Sequence, residues 1–321
     1  MSIKGSSKKL KIEYTFWILF FATIAAVAVR TYQRLKIIEP ETGFYKVENF
    51  SVPLLYGILA VAGVLIFCVG YLAKKVPLST LPEGRNIPLA VASLLFALTL
   101  LLDMVFQSWF NVYYALIKSG IFEKSFAGYG SLTVLFKSGV GVGALATVFA
   151  FFSAIYFLVF ALKYFGVNIS VCNRKILAVM PVFWATMRMV QRFTKTISII
   201  NMSDLLLELF MMAFMMMFFL AFAQLASNVG SRHVVNKIYS YGYIGTMFAF
   251  TITFPKIAIQ FFEPSLSGAS NNMEICDLGF AIFALILCRE MLKMPREDNI
   301  TLKEVERLKK ERAIEEDNQA E

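Results

Sequence analysis

The sequence predicts an all-α polytopic transmembrane helix bundle with about eight membrane spans, and three observations carry that prediction. Of the 321 residues, 58% are apolar and only 17% charged, against about 45–50% and about 25% in an ordinary soluble domain. The apolar excess is gathered into uncharged runs long enough to cross a bilayer core of about 30 Å. The segments between the runs hold the charges and turn formers. A soluble enzyme is excluded.

The first run, Tyr14–Val29, follows Lys4, Lys8, Lys9 and Lys11, the order found in a signal peptide. It is bulky, however, and no small-x-small cleavage pattern follows before Arg30. It therefore reads as a retained first helix that also targets the chain. Together with the runs Asn49–Ala73, Asn86–Leu102, Ser138–Leu162, Leu209–Ser231 and Ile238–Pro255 it makes six clear spans. Two more are short: Ile176–Met187 holds 12 uncharged residues and Leu278–Cys288 holds 11, below the 18 or so that identify a span alone. They cross if their charged ends reach the interface, where Lys and Arg side chains extend toward water. The predicted spans are 14–33, 51–72, 87–107, 138–162, 176–194, 204–226, 238–260 and 275–293, forming one membrane domain over 1–295. Six spans with two re-entrant or interfacial helices is the competing count.

With the N-terminus assigned to the cytoplasm, 20 Lys and Arg fall on inner segments and 10 on outer ones. This bias places both termini inside and the protein in the cell membrane. The first outer connection, from Arg34 to Val47, carries β-prone runs around Pro40 and Gly43 and predicts a small extramembrane hairpin. From Trp109 to Lys137 the third connection is rich in aromatic residues and reads as an interfacial helix and loop. The fourth span opens with Gly139, Gly141 and Gly143, whose spacing makes a flat face for close helix packing. Met211, Met212, Met215, Met216 and Met217 surround the sixth helix and read as adaptable packing. From Arg296 on, six basic and nine acidic residues form a charged cytoplasmic tail over 296–321. Within it a capping box at Thr301 and Glu304 opens a short amphipathic helix over about 302–316.

Several chemistries lack their residues. The net charge of +9 is scattered between apolar runs and gathered in no nucleic-acid module. One histidine, His233, and four cysteines without a CxxC supply no zinc, di-iron or disulfide framework. No metal or other cofactor is expected, nor a nucleophile elbow or histidine box.

The informative feature is the depth of the charges in and beside the spans. Asp103 lies about 16 residues into the third helix and Lys256 about 17 into the seventh, some 24–26 Å from the inner boundary at 1.5 Å per residue. Arg188, Arg192 and Lys195 close the fifth helix on one face, and Asp204 and Glu208 open the sixth as an i,i+4 pair. A hairpin through Ile199–Ser203, with Asn201 or Ser203 as N-cap, would bring those two faces together. Glu274 and Asp277 open the eighth helix at the same level. An unpaired charge in hydrocarbon costs about 2.5–3.5 kcal/mol on insertion scales, so such groups face one another or a wet cavity. The candidate substrate-binding set is Asp103, Arg188, Arg192, Asp204, Glu208 and Lys256.

The pattern points to a transporter-like protein with an outward-facing charged vestibule for a small anionic solute or lipid headgroup. The alternative is a membrane-embedded subunit, scaffold or sensor with no chemistry of its own. Its partners would be the lipid bilayer, another membrane protein or a second copy, and a cytoplasmic protein at the tail. In a purely structural role the same charges would weld the fifth and sixth helices together.

Overall fold

In the computed structural model the chain is described over residues 13–39, 45–46, 49–72, 81–82, 84–106, 140–167, 175–194, 202–227, 232–262 and 275–293. The described residues form eight long helices: α1 (Tyr14–Tyr32), α2 (Ser51–Leu72), α3 (Ile87–Phe106), α4 (Val140–Phe165), α5 (Lys175–Thr194), α6 (Met202–Ala226), α7 (Arg232–Phe262) and α8 (Ile275–Leu292). Six of them, α1 to α4, α6 and α7, are long and apolar enough to cross a membrane. The two that fall short are those that the sequence marked as short. Their charges, Lys175, Arg188 and Arg192 in α5 and Asp277, Arg289 and Glu290 in α8, lower their apolar content.

Local chemistry sets several boundaries. Asn86 caps α3, its Oδ1 accepting from the Leu89 amide at 3.2 Å, as an N-cap side chain does for an otherwise unpaired donor. Gly166, at φ +101°, ends α4. There the amides of Gly166 and Val167 return to the carbonyls of Lys163 and Leu162, a closure that needs the left-handed residue glycine supplies. α7 begins well before the predicted 238–260, because Lys237 interrupts the uncharged run but not the helix. The expected N-cap at Ser203 is corrected: α6 already begins at Met202.

α1 also continues further than predicted. Gln33–Ile37 form a π-helical turn, so Arg34 to Ile37 are helical where a β-arm was expected. The wider turn carries Arg34 forward one turn above Arg30 on the same side. Beyond it a single antiparallel bridge joins Ile38 to Tyr45, and the Lys46 amide donates to the Ile37 carbonyl at 2.8 Å. The predicted hairpin's turn at Pro40 and Gly43 lies outside the described residues. So do the 109–137 segment, Gly139, Cys172, Lys195, Asn201, Glu274 and the tail helix.

The helices alternate in direction, as contacts at the two ends of the bundle show. At one end, here called the terminal end, the start of α3 meets the ends of α4 and α8: the Asn86 amide donates to the Tyr164 carbonyl at 3.1 Å, and Asn86 Nδ2 to Glu290 Oε2 at 2.9 Å. Tyr239, early in α7, donates to the Cys288 carbonyl late in α8 at 3.0 Å. At the opposite, distal end, the close of α1 meets the start of α2, where Gln33 Nε2 donates to the Ser51 carbonyl at 2.7 Å. α3 to α8 pack successively, and α8 packs back on α3, closing a ring of six. Outside the ring α1 and α2 pack on each other and on α7.

The centre of the ring is filled with aromatic rings. Phe96 of α3 touches Phe157 of α4, Trp184 of α5, Phe219 of α6 and Phe283 of α8, with centroids 4.7–6.1 Å apart, so five helices meet on one fully buried side chain. In hydrocarbon there is no water to drive helices together, and association depends on packing and polar contacts. Close backbone approach supplies part of it. A Cβ placed on Gly279 of α8 would collide with the Thr99 side chain of α3. Outward, α1 and α2 present exposed Trp17, Phe20, Phe21, Val61, Val64 and Phe67 to the surroundings.

Candidate functional site

The distal end gathers the ionisable side chains. Asp204 opens α6, and its carboxylate accepts from two guanidiniums of the α1 extension, Arg30 and Arg34, the latter at 2.6 Å. One turn deeper on the same face, Glu208 accepts from Arg192 of α5 and from Lys256 Nζ of α7 at 3.0 Å. Among the described residues, four cations thus converge on two carboxylates. Five of the six side chains are at most 11% exposed, and only Arg192, at 28%, has substantial access to its surroundings.

Further hydrogen bonds brace this layer. Arg30 also donates to Gln33 Oε1 at 2.8 Å and to the Tyr45 hydroxyl at 3.0 Å. Since Gln33 in turn holds the Ser51 carbonyl, the π-helical turn ties the cluster to the start of α2. π turns inside helices occur frequently at functional sites. Arg192 keeps Nε buried with no hydrogen-bond partner among the described residues, a donor that a buried site ordinarily satisfies.

A second group lies on the other side of the ring. Arg188 Nη1 reaches Asp277 Oδ1 of α8 at 2.5 Å and its guanidinium stands 5.5 Å from the centre of the Trp184 ring. Half-buried Asp103, on α3, is within electrostatic range of Arg188 and of Cys276. The candidate set therefore falls in two groups. Arg192, Asp204, Glu208 and Lys256 share one network, while Asp103 and Arg188 belong with Asp277.

The expected meeting of the fifth- and sixth-helix faces holds for Arg192 and Glu208 only. Arg188 turns to α8, because four residues along a helix of 3.6 per turn still leave about 40° between side chains, enough here for two different neighbours. Asp204 is taken by α1. Arg30 and Arg34 were missed as site residues, although their i,i+4 spacing at a helix end repeats that of Arg188 with Arg192 and Asp204 with Glu208.

No group of three His, Cys, Asp or Glu side chains that could hold a metal ion is found among the described residues. Cys276 and Cys288 are buried free thiols and Cys68 is an exposed one.

A cavity of about 460 Å³ adjoins the charged layer on its α2 side. α2 and α6 both pack on α7, and the cavity is the groove between them, floored by Leu59, Leu207, Ile244 and Phe248 and rimmed by exposed Val64, Phe67 and Phe210. Its lining is almost wholly apolar. Leu207 stands between Asp204 and Glu208 in the α6 sequence, and Tyr56 at the groove's upper end is within electrostatic range of Arg30 and Asp204.

Six long apolar helices make this a multi-pass membrane protein. Compared with protein-family models, with curated proteins and with solved structures, the chain matches none of them.

Proposed function

We propose that this is a transporter-like protein of the cell membrane whose distal charged layer receives a small anionic solute or a lipid headgroup. The observation that carries the reading is the sharing of two carboxylates by four cations in a nearly dry layer. Burying charges in such a place is costly, and a carboxylate that holds two cations can release one contact while keeping the other. An arriving anion competes with Glu208 for Arg192 or Lys256, and that exchange of contacts supplies two states of one site. All eight helices cross the membrane in this reading, α5 and α8 with Arg188 and Asp277 paired at the distal level. The terminal end, with both chain termini, faces the cytoplasm, in keeping with the Lys/Arg bias.

The test is flux in proteoliposomes of pure protein, measured with labelled glycerol phosphate and with a fluorescent phosphatidylglycerol whose leaflet exchange is followed by quenching. Wild-type protein moves at least one of these anions above empty vesicles, and Glu208→Gln abolishes the movement while helical content stays the same. Wild-type flux equal to that of empty vesicles refutes the reading.

A second reading, an embedded subunit or scaffold, is favoured by one observation. The two networks bind α1, α5, α6 and α7 together and α5 to α8, as welds would. The exposed aromatic face of α1 at Trp17, Phe20 and Phe21 then meets a partner helix or a second copy, and the tail a cytoplasmic protein. Loss of folded protein in both Glu208→Gln and Arg188→Gln, with no flux in wild type, is its signature.

A further inference from the structure

We infer that an anion entering the charged layer displaces the Glu208 carboxylate from between Arg192 and Lys256, and that the displaced Glu208 takes up a proton, so that one proton accompanies each anion. This rests on the proposed anion-binding role of the layer and names its coupling ion. Three features converge on it. The first is the width of the gap. Glu208 Oε2 accepts from Arg192 of α5, and Oε1 accepts from Lys256 Nζ of α7 at 3.0 Å. The two cations therefore stand on opposite sides of a single carboxylate. A phosphate or carboxylate that touches both must sit where the Glu208 carboxylate sits, so the two occupy the gap in turn.

The second is what surrounds Glu208 once it is displaced. Its side chain is only 5% exposed, so water replaces few of the lost contacts. The charged groups facing it among the described residues come from four helices. Arg192 of α5 and Lys256 of α7 are then held by the anion. Asp204, one turn away on α6, has the same sign and repels it. Arg30 and Arg34 of the α1 extension are bound to Asp204, the latter at 2.6 Å. A buried carboxylate stripped of its partners is an uncompensated charge, and in such a place the group neutralises instead.

The third is the set of donors. As a carboxylate Glu208 only accepts and competes with an incoming anion. As an acid it carries one O–H, which donates to a phosphate oxygen. The proton that neutralises Glu208 thus turns a competitor into a ligand. Arg192 offers a matching edge: Nη2 is on Glu208, while the neighbouring Nε is buried with no hydrogen-bond partner among the described residues. The planar fork of arginine pairs with two oxygens at once, and Glu208 occupies only one tooth of it. At 28% exposed, Arg192 also marks the way in for anion and proton.

The cycle balances. On entry, water supplies a proton to a Glu208 oxygen, an O–H bond forms, and the anion takes both cations. On release the proton returns to water and the carboxylate pairs again with Arg192 and Lys256. Glu208→Gln has no proton to give up and cannot restore the empty pairing. The probes are glycerol phosphate and an ether-linked phosphatidylglycerol, since a free phosphate and a lipid headgroup present the same chemistry. The ether linkage removes the lipid's own ester carbonyls. Each is added to the full chain in detergent micelles, binding being read as a melting-temperature shift and protonation by infrared difference spectroscopy.

Binding of at least one probe is expected to raise the C=O band of a protonated carboxylic acid, absent in Glu208→Gln. Wild-type protein made by cell-free synthesis with carbon-13 in the glutamate side-chain carboxyl gives the same assignment without a variant, because a glutamate band then shifts and an aspartate band does not. A phosphate monoester loses its second proton near about pH 6; above about pH 7 the affinity of wild type therefore falls about tenfold per pH unit, the slope for one proton bound with the ligand. A melting shift without the band places no proton on Glu208, and a band that persists in Glu208→Gln or ignores the isotope places it on another acid. Each of these overturns the proton inference and leaves the anion site standing. Neither melting shift nor band with either probe overturns both.

Discussion

Glu208 offers the sharpest quantitative test of the charged layer, because its two partners differ in burial. Lys256 is 7% exposed and Arg192 is 28% exposed. Glu208→Gln removes the counter-charge from both. Arg192 can turn toward water, so its share is small, about 1 kcal/mol or less as for accessible ion pairs. Lys256 cannot follow without leaving α7's packed side, and breaking one partner of a buried pair costs about 3–5 kcal/mol. The variant is therefore expected to lose about 3–5 kcal/mol, whereas Arg192→Gln loses about 1 kcal/mol or less. The double change Glu208→Leu with Lys256→Met removes both buried charges and returns stability to within about 1–2 kcal/mol of wild type, since replacing a whole buried pair by apolar groups is often neutral. The assay is reversible unfolding in mixed micelles with rising fractions of a denaturing detergent, read by Trp fluorescence. Equal losses for Glu208→Gln and Arg192→Gln, or a double variant as weak as Glu208→Gln alone, would refute the claim that burial of Lys256 sets the cost.

Two further predictions concern the ring. Phe96→Ala removes the side chain on which α3, α4, α5, α6 and α8 meet and should cost roughly 2–4 kcal/mol in the same assay, the range of core truncations that leave a cavity; a loss under about 1 kcal/mol would show that the ring closes without it. Gly279→Ala drives a methyl group into Thr99 and should cost about 1–3 kcal/mol as an overpacked contact, with recovery in Gly279→Ala/Thr99→Ala measured by the same unfolding midpoint.

Much of the architecture is local and was legible in the sequence. Uncharged runs set the six long apolar helices, since a segment without charge and about 30 Å long has few other places to go. The short runs at Ile176–Met187 and Leu278–Cys288 pointed to α5 and α8, where both helices are found. The i,i+4 pairs Arg188 with Arg192 and Asp204 with Glu208 placed charges at one end of the bundle, because depth follows from counting residues along a helix. Partner choice is not local. That Asp204 goes to Arg30 and Arg34, and Arg188 to Asp277 instead of Glu208, depends on how each helix is rotated about its axis and on which helices stand beside it. The π-helical turn after Tyr32 was also hidden: the approach to Pro40 and Gly43 read as a hairpin arm, while Gln33 and Arg34 are anchored by Ser51 and Asp204, partners distant in the sequence. The groove was invisible altogether. Its walls come from three helices distant in the sequence, and it exists only because α2 and α6 lean on α7 and leave a gap between them.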